Sequence, residues 1–142
     1  MKLSLFTDIA LRTLMRLAGN PEHAFSTKEL AKELAVSSNH LTKVVARLAR
    51  LGYVTSRRGN QGGIWLAKEA ESIRIGDVVV ALEDATPLVE CFREDGGNCT
   101  LDDACRLRAR LAKARACFLE DLNGSTLADI AYRKESTDKA PA

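Results

Sequence analysis

"STKELAKELAVSSNHLTKVVARLARLGYV", Ser26 to Val54, decides the fold. Ser26 followed by Glu29 fits a capping box, in which each side chain takes up a backbone N–H that the first helical turn leaves unpaired. Leu30, Ala31 and Leu34 give the short helix that follows one apolar face. "VSSN" interrupts it, and Ser37 or Ser38 can cap a further helix whose Leu41, Val44, Val45, Leu48 and Leu51 recur at threes and fours. Two short helices joined by a tight turn make a helix-turn-helix pattern.

Towards the N-terminus, Phe6, Ile9, Ala10, Leu14 and Leu17 line one face of an earlier helix, expected to end with Gly19 as its cap before Pro21. Beyond Gly52 the period drops to two. "YVTSRR" and "GIWLA" read as strands around "GNQG", Gly59 to Gly62, a hairpin with Gly and Asn where positive φ is expected. Three helices and a basic hairpin define a winged helix-turn-helix. The expected class is mainly α with a small β-hairpin wing and a long dimerisation helix behind it.

The exposed positions of this half suit a duplex. Ser38, Asn39, His40 and Lys43 fall at the N-terminal end of the third helix, where side chains of such a helix meet base edges. Asn can pair bidentately with adenine and Lys can reach guanine or phosphate. Arg57, Arg58, Asn60 and Gln61 occupy the wing tip, within reach of phosphates or the minor groove, and Thr27 at the start of the second helix completes the set. His23 is expected in an exposed loop.

Charge agrees with this division. Of the 142 residues, the first 68 carry a net +7 and the remainder a net −5, so a polyanion-binding module precedes something different. The balance of 46% hydrophobic and 28% charged residues is that of a globular domain with a real core. Asp8, Arg12 and Arg16 interrupt the first apolar stretch, so no signal peptide or membrane span is expected and the chain is assigned to the cytoplasm.

The acidic half reads as a helix over Ser72 to Asp84 closed by Pro87, a cysteine loop, and a long helix from Cys105. Leu107, Leu111, Ala114, Phe118 and Leu122 form one stripe of that helix, and Ala109, Ala112, Ala116 and Leu119 widen it. Such a face exceeds what one small domain covers, so a second copy is expected against it. "GSTLADIA" suggests a last short helix near Ser125, followed by a disordered tail. The expected divisions are 1–70 for the DNA-binding domain, 71–132 for linker helix, cysteine loop and dimerisation helix, and 133–142 for the tail.

Cys91, Cys99 and Cys105 are spaced C-x7-C-x5-C in "VECFREDGGNCTLDDAC", and Cys117 stands apart as an expected packing residue. Disulfides do not suit a reducing compartment. Structural zinc usually pairs its ligands at shorter spacings, and the loop has no histidine. Thiolates in a wide loop suit an iron–sulfur cluster, with Gly96 and Gly97 allowing close backbone approach and offering N–H groups to the cluster. Spacing favours a cluster over zinc only slightly, and both remain open on that ground.

The chain resembles the iron–sulfur winged-helix repressors that include NsrR, IscR and RirA. The resemblance runs through "LSLFTDIALRTLMRLA", "SSNHLTKVVARLARLGYVTSRRGNQGGIWLA", "IRIGDVV", "LVECFREDGGNC", "ACRL" and "TLADI". It implies a homodimeric regulator, not an enzyme, that binds double-stranded operator DNA and holds its cluster in the cysteine loop. IscR-type members place a histidine three residues after the last loop cysteine, where this chain has Arg108. RirA-type iron regulators share the cysteine spacing. The nitric-oxide-sensing branch is similar in "FTDIALR", "CRL" and "TLADI", and there an aspartate of the first helix can serve as a fourth ligand. The resemblance therefore implies one [4Fe–4S] cluster per subunit on Cys91, Cys99 and Cys105 with Asp8 of the partner subunit. Nitric oxide is then the signal that releases DNA and derepresses detoxification genes. An iron-responsive regulator, or a redox-sensing one with a [2Fe–2S] cluster, is the alternative within the family. An electron-transfer protein, or a DNA-binding protein with structural zinc, is the rival outside it.

Overall fold

The computed structural model describes residues 2–83, 87–101 and 105–134. Helix α1 spans Leu5–Gly19, α2 Thr27–Glu33 and α3 Ser38–Arg50. Strands β1, Val54–Arg57, and β2, Gly63–Leu66, form an antiparallel hairpin with Val54 opposite Leu66 and Arg57 opposite Gly63. Helices α4, Ile75–Glu83, and α5, Arg106–Asn123, complete the chain.

The capping logic holds at residue level. Ser26 and Glu29 form the reciprocal capping box of α2, and Ser37 alone caps α3, accepting from the His40 N–H at 3.1 Å. Both helices of the helix-turn-helix end in the same motif. After α3, Gly52 turns left-handed at φ +77° while the N–H groups of Gly52 and Tyr53 bond to Ala49 and Leu48. After α2 the left-handed residue is Ala35 at φ +53°, with Ala35 and Val36 bonding back to Lys32 and Ala31.

One continuous core joins both halves of the chain. Leu14, Leu17, Phe25, Leu30, Leu41, Leu48 and Ile64 of the winged helix pack in the same cluster as Ile73, Ile75, Val78 and Leu127. Phe25 exchanges backbone bonds with Ile64, at 3.0 and 2.8 Å, so the segment before α2 runs along the wing as a third, minimal strand. Arg16, almost buried, stacks on the Phe25 ring at 4.6 Å and bonds to Glu33 at 2.6 Å. That ion pair ties α1 to α2.

Several expectations are corrected. Gly19 is not a cap: Asn20 ends α1, and Gly19 is required because a Cβ there would lie 2.0 Å from the Tyr132 carbonyl oxygen. Asn60 does not take positive φ; Gly59, at +105°, and Gly63, at +155°, shape the wing turn instead. Helix α4 starts at Ile75, after a 3-10 turn over Ala70–Ser72, and Asp84 lies outside the described residues. The helix expected near Ser125 is only a turn. Asp129 accepts from the Thr126 N–H at 2.7 Å and starts it, but the Tyr132 N–H bonds to Met15 of α1 and draws the chain away. Arg133 then donates to the Gly19 carbonyl at 3.0 Å, so the first residues of the expected tail are docked; 135–142 lie outside the described residues.

Candidate nucleic-acid interface and metal centre

Because Ser37 caps α3, Ser38 and Asn39 are released from that duty and both are exposed, as is Lys43 one turn on. Asn39, Lys43 and Arg47 follow one another at intervals of four, which puts them on one stripe of the helix. His40 differs from its neighbours: it is half-buried, with its ring 6.3 Å from that of Phe6. It sits where α3 passes α1. Thr27 is half-buried at the first position of α2.

Arg57, Arg58, Asn60 and Gln61 are all exposed around the wing turn. The turn is pinched by the Gly62 N–H bonding to Gly59 at 2.9 Å, and a Cβ at Gly62 would meet the Arg57 carbonyl oxygen at 2.2 Å. Among the described residues, Lys43, Arg57 and Arg58 have no ion-pair partner. Uncompensated cations on a recognition helix and its wing form an electrostatic footprint for a polyanion.

The cysteine segment lies between α4 and α5. Cys91 is half-buried within a 3-10 turn, Glu90–Phe92; Cys99 is exposed; Cys105 is half-buried at the N-terminal cap position of α5. All four cysteines are free thiols. Cys117 is exposed on α5 in the single chain, where no residue of that helix is buried.

Glu90 organises the loop. Its carboxylate accepts from the Asn98 N–H at 2.9 Å, and its stem sits where a Cβ on Gly97 would come within 2.4 Å. The Gly96 and Gly97 N–H groups, expected to be free for a cluster, are engaged by Arg93 and Asp95, because two successive left-handed glycines fold the loop back on itself. An open cavity of about 1150 Å³ separates the loop from the helices, with Glu83, Leu88, Cys91, Phe92, Arg108 and Arg115 on its walls. Cys91 is the one loop thiol that lines it.

Among the described residues no three His, Cys, Asp or Glu side chains are close enough to share a metal ion. The donor set nonetheless fits an iron–sulfur cluster in its chemistry: three soft, unpaired thiols on one segment anchored at both ends. The eight- and six-residue steps between them can reach far beyond any cluster's dimensions, at about 3.5 Å per extended residue. The partial positive charge at the N-terminus of α5 lies beside Cys105, which favours an anionic group there. Asp8, exposed on α1, forms an ion pair with Arg12 and with no other described side chain.

The end of α4 binds the two halves together. Glu83 accepts from the backbone N–H of Ser4, the cap of α1, at 2.8 Å. Burial by itself raises the Glu83 carboxyl, but hydrogen bonds from Thr7 and Ser4 outweigh it and hold it below the ordinary value. From α3, Arg47 donates to the Ala81 carbonyl at 3.2 Å. Across α4, Asn123 of α5 exchanges hydrogen bonds with Asp77, both at 3.0 Å, and Gly76 lets the Leu119 carbonyl approach closely. Neither Arg47 nor Glu83 carried a role in the sequence reading, because the partners lie 34 and 79 residues away.

The sequence profile of the Rrf2 family, described as an iron-dependent transcriptional regulator, matches residues 3–133. The chain is 43% identical to the HTH-type transcriptional regulator NsrR of Shouchella clausii over 136 residues, 95% of this chain and 91% of that one. It is 41% identical to the NsrR of Bacillus licheniformis over 140 residues, 98% of each. Among solved structures it is similar to IscR of T. potens, with a TM-score of 0.74 and 27% identity over 92% of this chain and 85% of that one. It is also similar to CymR, the global cysteine regulator of B. subtilis, with a TM-score of 0.73 and 28% identity over 92% of this chain and 96% of that one. No described helix is long and apolar enough to cross a membrane.

Proposed function

The chain belongs to the Rrf2 family of transcriptional regulators, and from that premise we propose that it is a homodimeric repressor whose [4Fe–4S] cluster, one per subunit, makes operator binding sensitive to nitric oxide. Cys91, Cys99 and Cys105 hold the cluster, with Asp8 of the partner subunit as fourth ligand. The observation that carries the reading is the set of three unpaired thiols on one loop, directly behind a winged helix whose NsrR-named relatives are more than 40% identical. When bound, the cluster supplies an iron site reactive towards nitric oxide, the carboxylate-bound iron being the natural entry because oxygen is the more weakly held ligand.

The chain's own residues do the rest. Ser38, Asn39 and Lys43 face base edges, while Arg57, Arg58, Asn60 and Gln61 hold the backbone or minor groove. His40 fixes α3 against Phe6. Thr27 approaches a phosphate from the start of α2. Exposed Asp8 can turn either to its own Arg12 or outward to a second copy. The apolar stripe of α5 has no buried residue in one chain, which is consistent with its covering by the second. Acting as a dimer, two recognition helices meet two half-sites, and a modest change in their spacing forfeits contacts worth about 1–3 kcal/mol each.

The test is an anaerobic absorption spectrum during titration with nitric oxide, with operator binding followed in parallel. Bleaching of a cubane-type band by a few equivalents, in step with DNA release, is expected, and Asp8→Ala changes both the spectrum and the response. A cluster indifferent to nitric oxide but lost under iron limitation moves the assignment to an iron-responsive regulator. A colourless protein holding zinc overturns the sensor.

A further inference from the structure

We propose that Arg47 is a positioning residue that carries the state of the cysteine loop to the recognition helix, through the last turn of α4. The inference rests on the regulator described above and deepens it. Arg47 stands one turn beyond Lys43 on the stripe that begins with Asn39; the residue is half-buried, and its guanidinium donates to the Ala81 carbonyl at 3.2 Å. That carbonyl belongs to the final turn of α4, where carbonyls lack partners within the helix and the helix dipole favours a cation. Two residues later, Glu83 holds the Ser4 N–H at 2.8 Å, and the chain reaches Cys91 eight residues after that. A single helical turn thus grips α3 through a carbonyl and α1 through a carboxylate. It is also the attachment point of the loop. A displacement of the loop that shifts this turn rolls α3 about its axis and moves Asn39 and Lys43 together.

A double-mutant cycle tests it, with Cys91→Ser as the loop lesion and Arg47→Met or Arg47→Lys as the relay lesion; the lysine variant keeps the charge should the methionine variant fold poorly. Two quantities are read: operator affinity, and amide hydrogen exchange across α3 in the free dimer. Cys91→Ser is expected to weaken operator binding about tenfold and to alter α3 exchange in the native background. In the Arg47→Met background both effects shrink at least threefold, with the cooperative melt retained. If Cys91→Ser acts equally in both backgrounds, the relay is wrong and the sensor stands. If it changes neither quantity even in the native background, relay and sensor fall together.

Discussion

Ala35 holds a left-handed backbone, φ +53°, at the turn of the helix-turn-helix, in the place that Gly52 fills after α3. The two positions make the same pair of backbone bonds, so the difference lies in the Cβ. A non-glycine residue in this region is strained by about 1–2 kcal/mol, and glycine's greater freedom in the unfolded chain offsets about half. Ala35→Gly is therefore expected to stabilise the protein by up to about 1 kcal/mol, seen as a higher urea midpoint at unchanged slope. Gly19 behaves in the opposite way. Alanine normally suits a helix better by about 1 kcal/mol, but a Cβ 2.0 Å from the Tyr132 carbonyl oxygen cannot be accommodated. Gly19→Ala is expected to cost about 1–2 kcal/mol, with 131–134 losing protection from hydrogen exchange.

At the scale of elements, α4 is the most connected short helix. It packs on α1 and α5, takes a bond from α3, and ends in the Glu83 carboxylate that holds α1 at Ser4. The folded Glu83 carboxyl lies below its ordinary value, so the tether contributes fully above that ordinary value and is lost as pH falls through the lowered one. Glu83→Gln is expected to be less stable than the parent at neutral pH, with the two denaturation midpoints converging on the acid side. An unchanged gap across that range rules out Glu83 as the source. The turn at Thr126 to Ile130 shows how a sound local signal can be overridden. Thr126 and Asp129 do pair as a helix start requires, yet the Met15 carbonyl captures Tyr132 before a second turn forms.

For the molecule as a whole, the charge division now has a place. Among the described residues, the basic half presents Lys43, Arg57 and Arg58 on α3 and the wing without ion-pair partners, while two acids of the loop are held within it: Glu90 on Asn98, Asp95 on Arg93 and Gly97. Operator binding should accordingly be steeply salt-dependent. Arg57→Ala is expected to lower the slope of log affinity against log salt by about 1 and to weaken all sequences alike. A loss confined to one operator variant would assign Arg57 to base reading instead.

Local chemistry in the chain was sufficient for the winged helix. The capping box at Ser26 and Glu29, the apolar period of α3 and the glycines of the wing each act over a few residues, and each is legible without knowing where the rest of the chain goes. The cysteine spacing and the exposed Asn39, Lys43 and Arg57 were legible for the same reason. The contacts that link those parts were not. Gly19 against Tyr132, Arg47 against Ala81 and Glu83 against Ser4 join residues 34 to more than 100 positions apart. No local pattern encodes such meetings: nothing in the residues around Arg47 tells that packing brings the end of another helix within its reach. Tertiary structure alone determined these joints, because each depends on two elements whose relative placement is set by the common core.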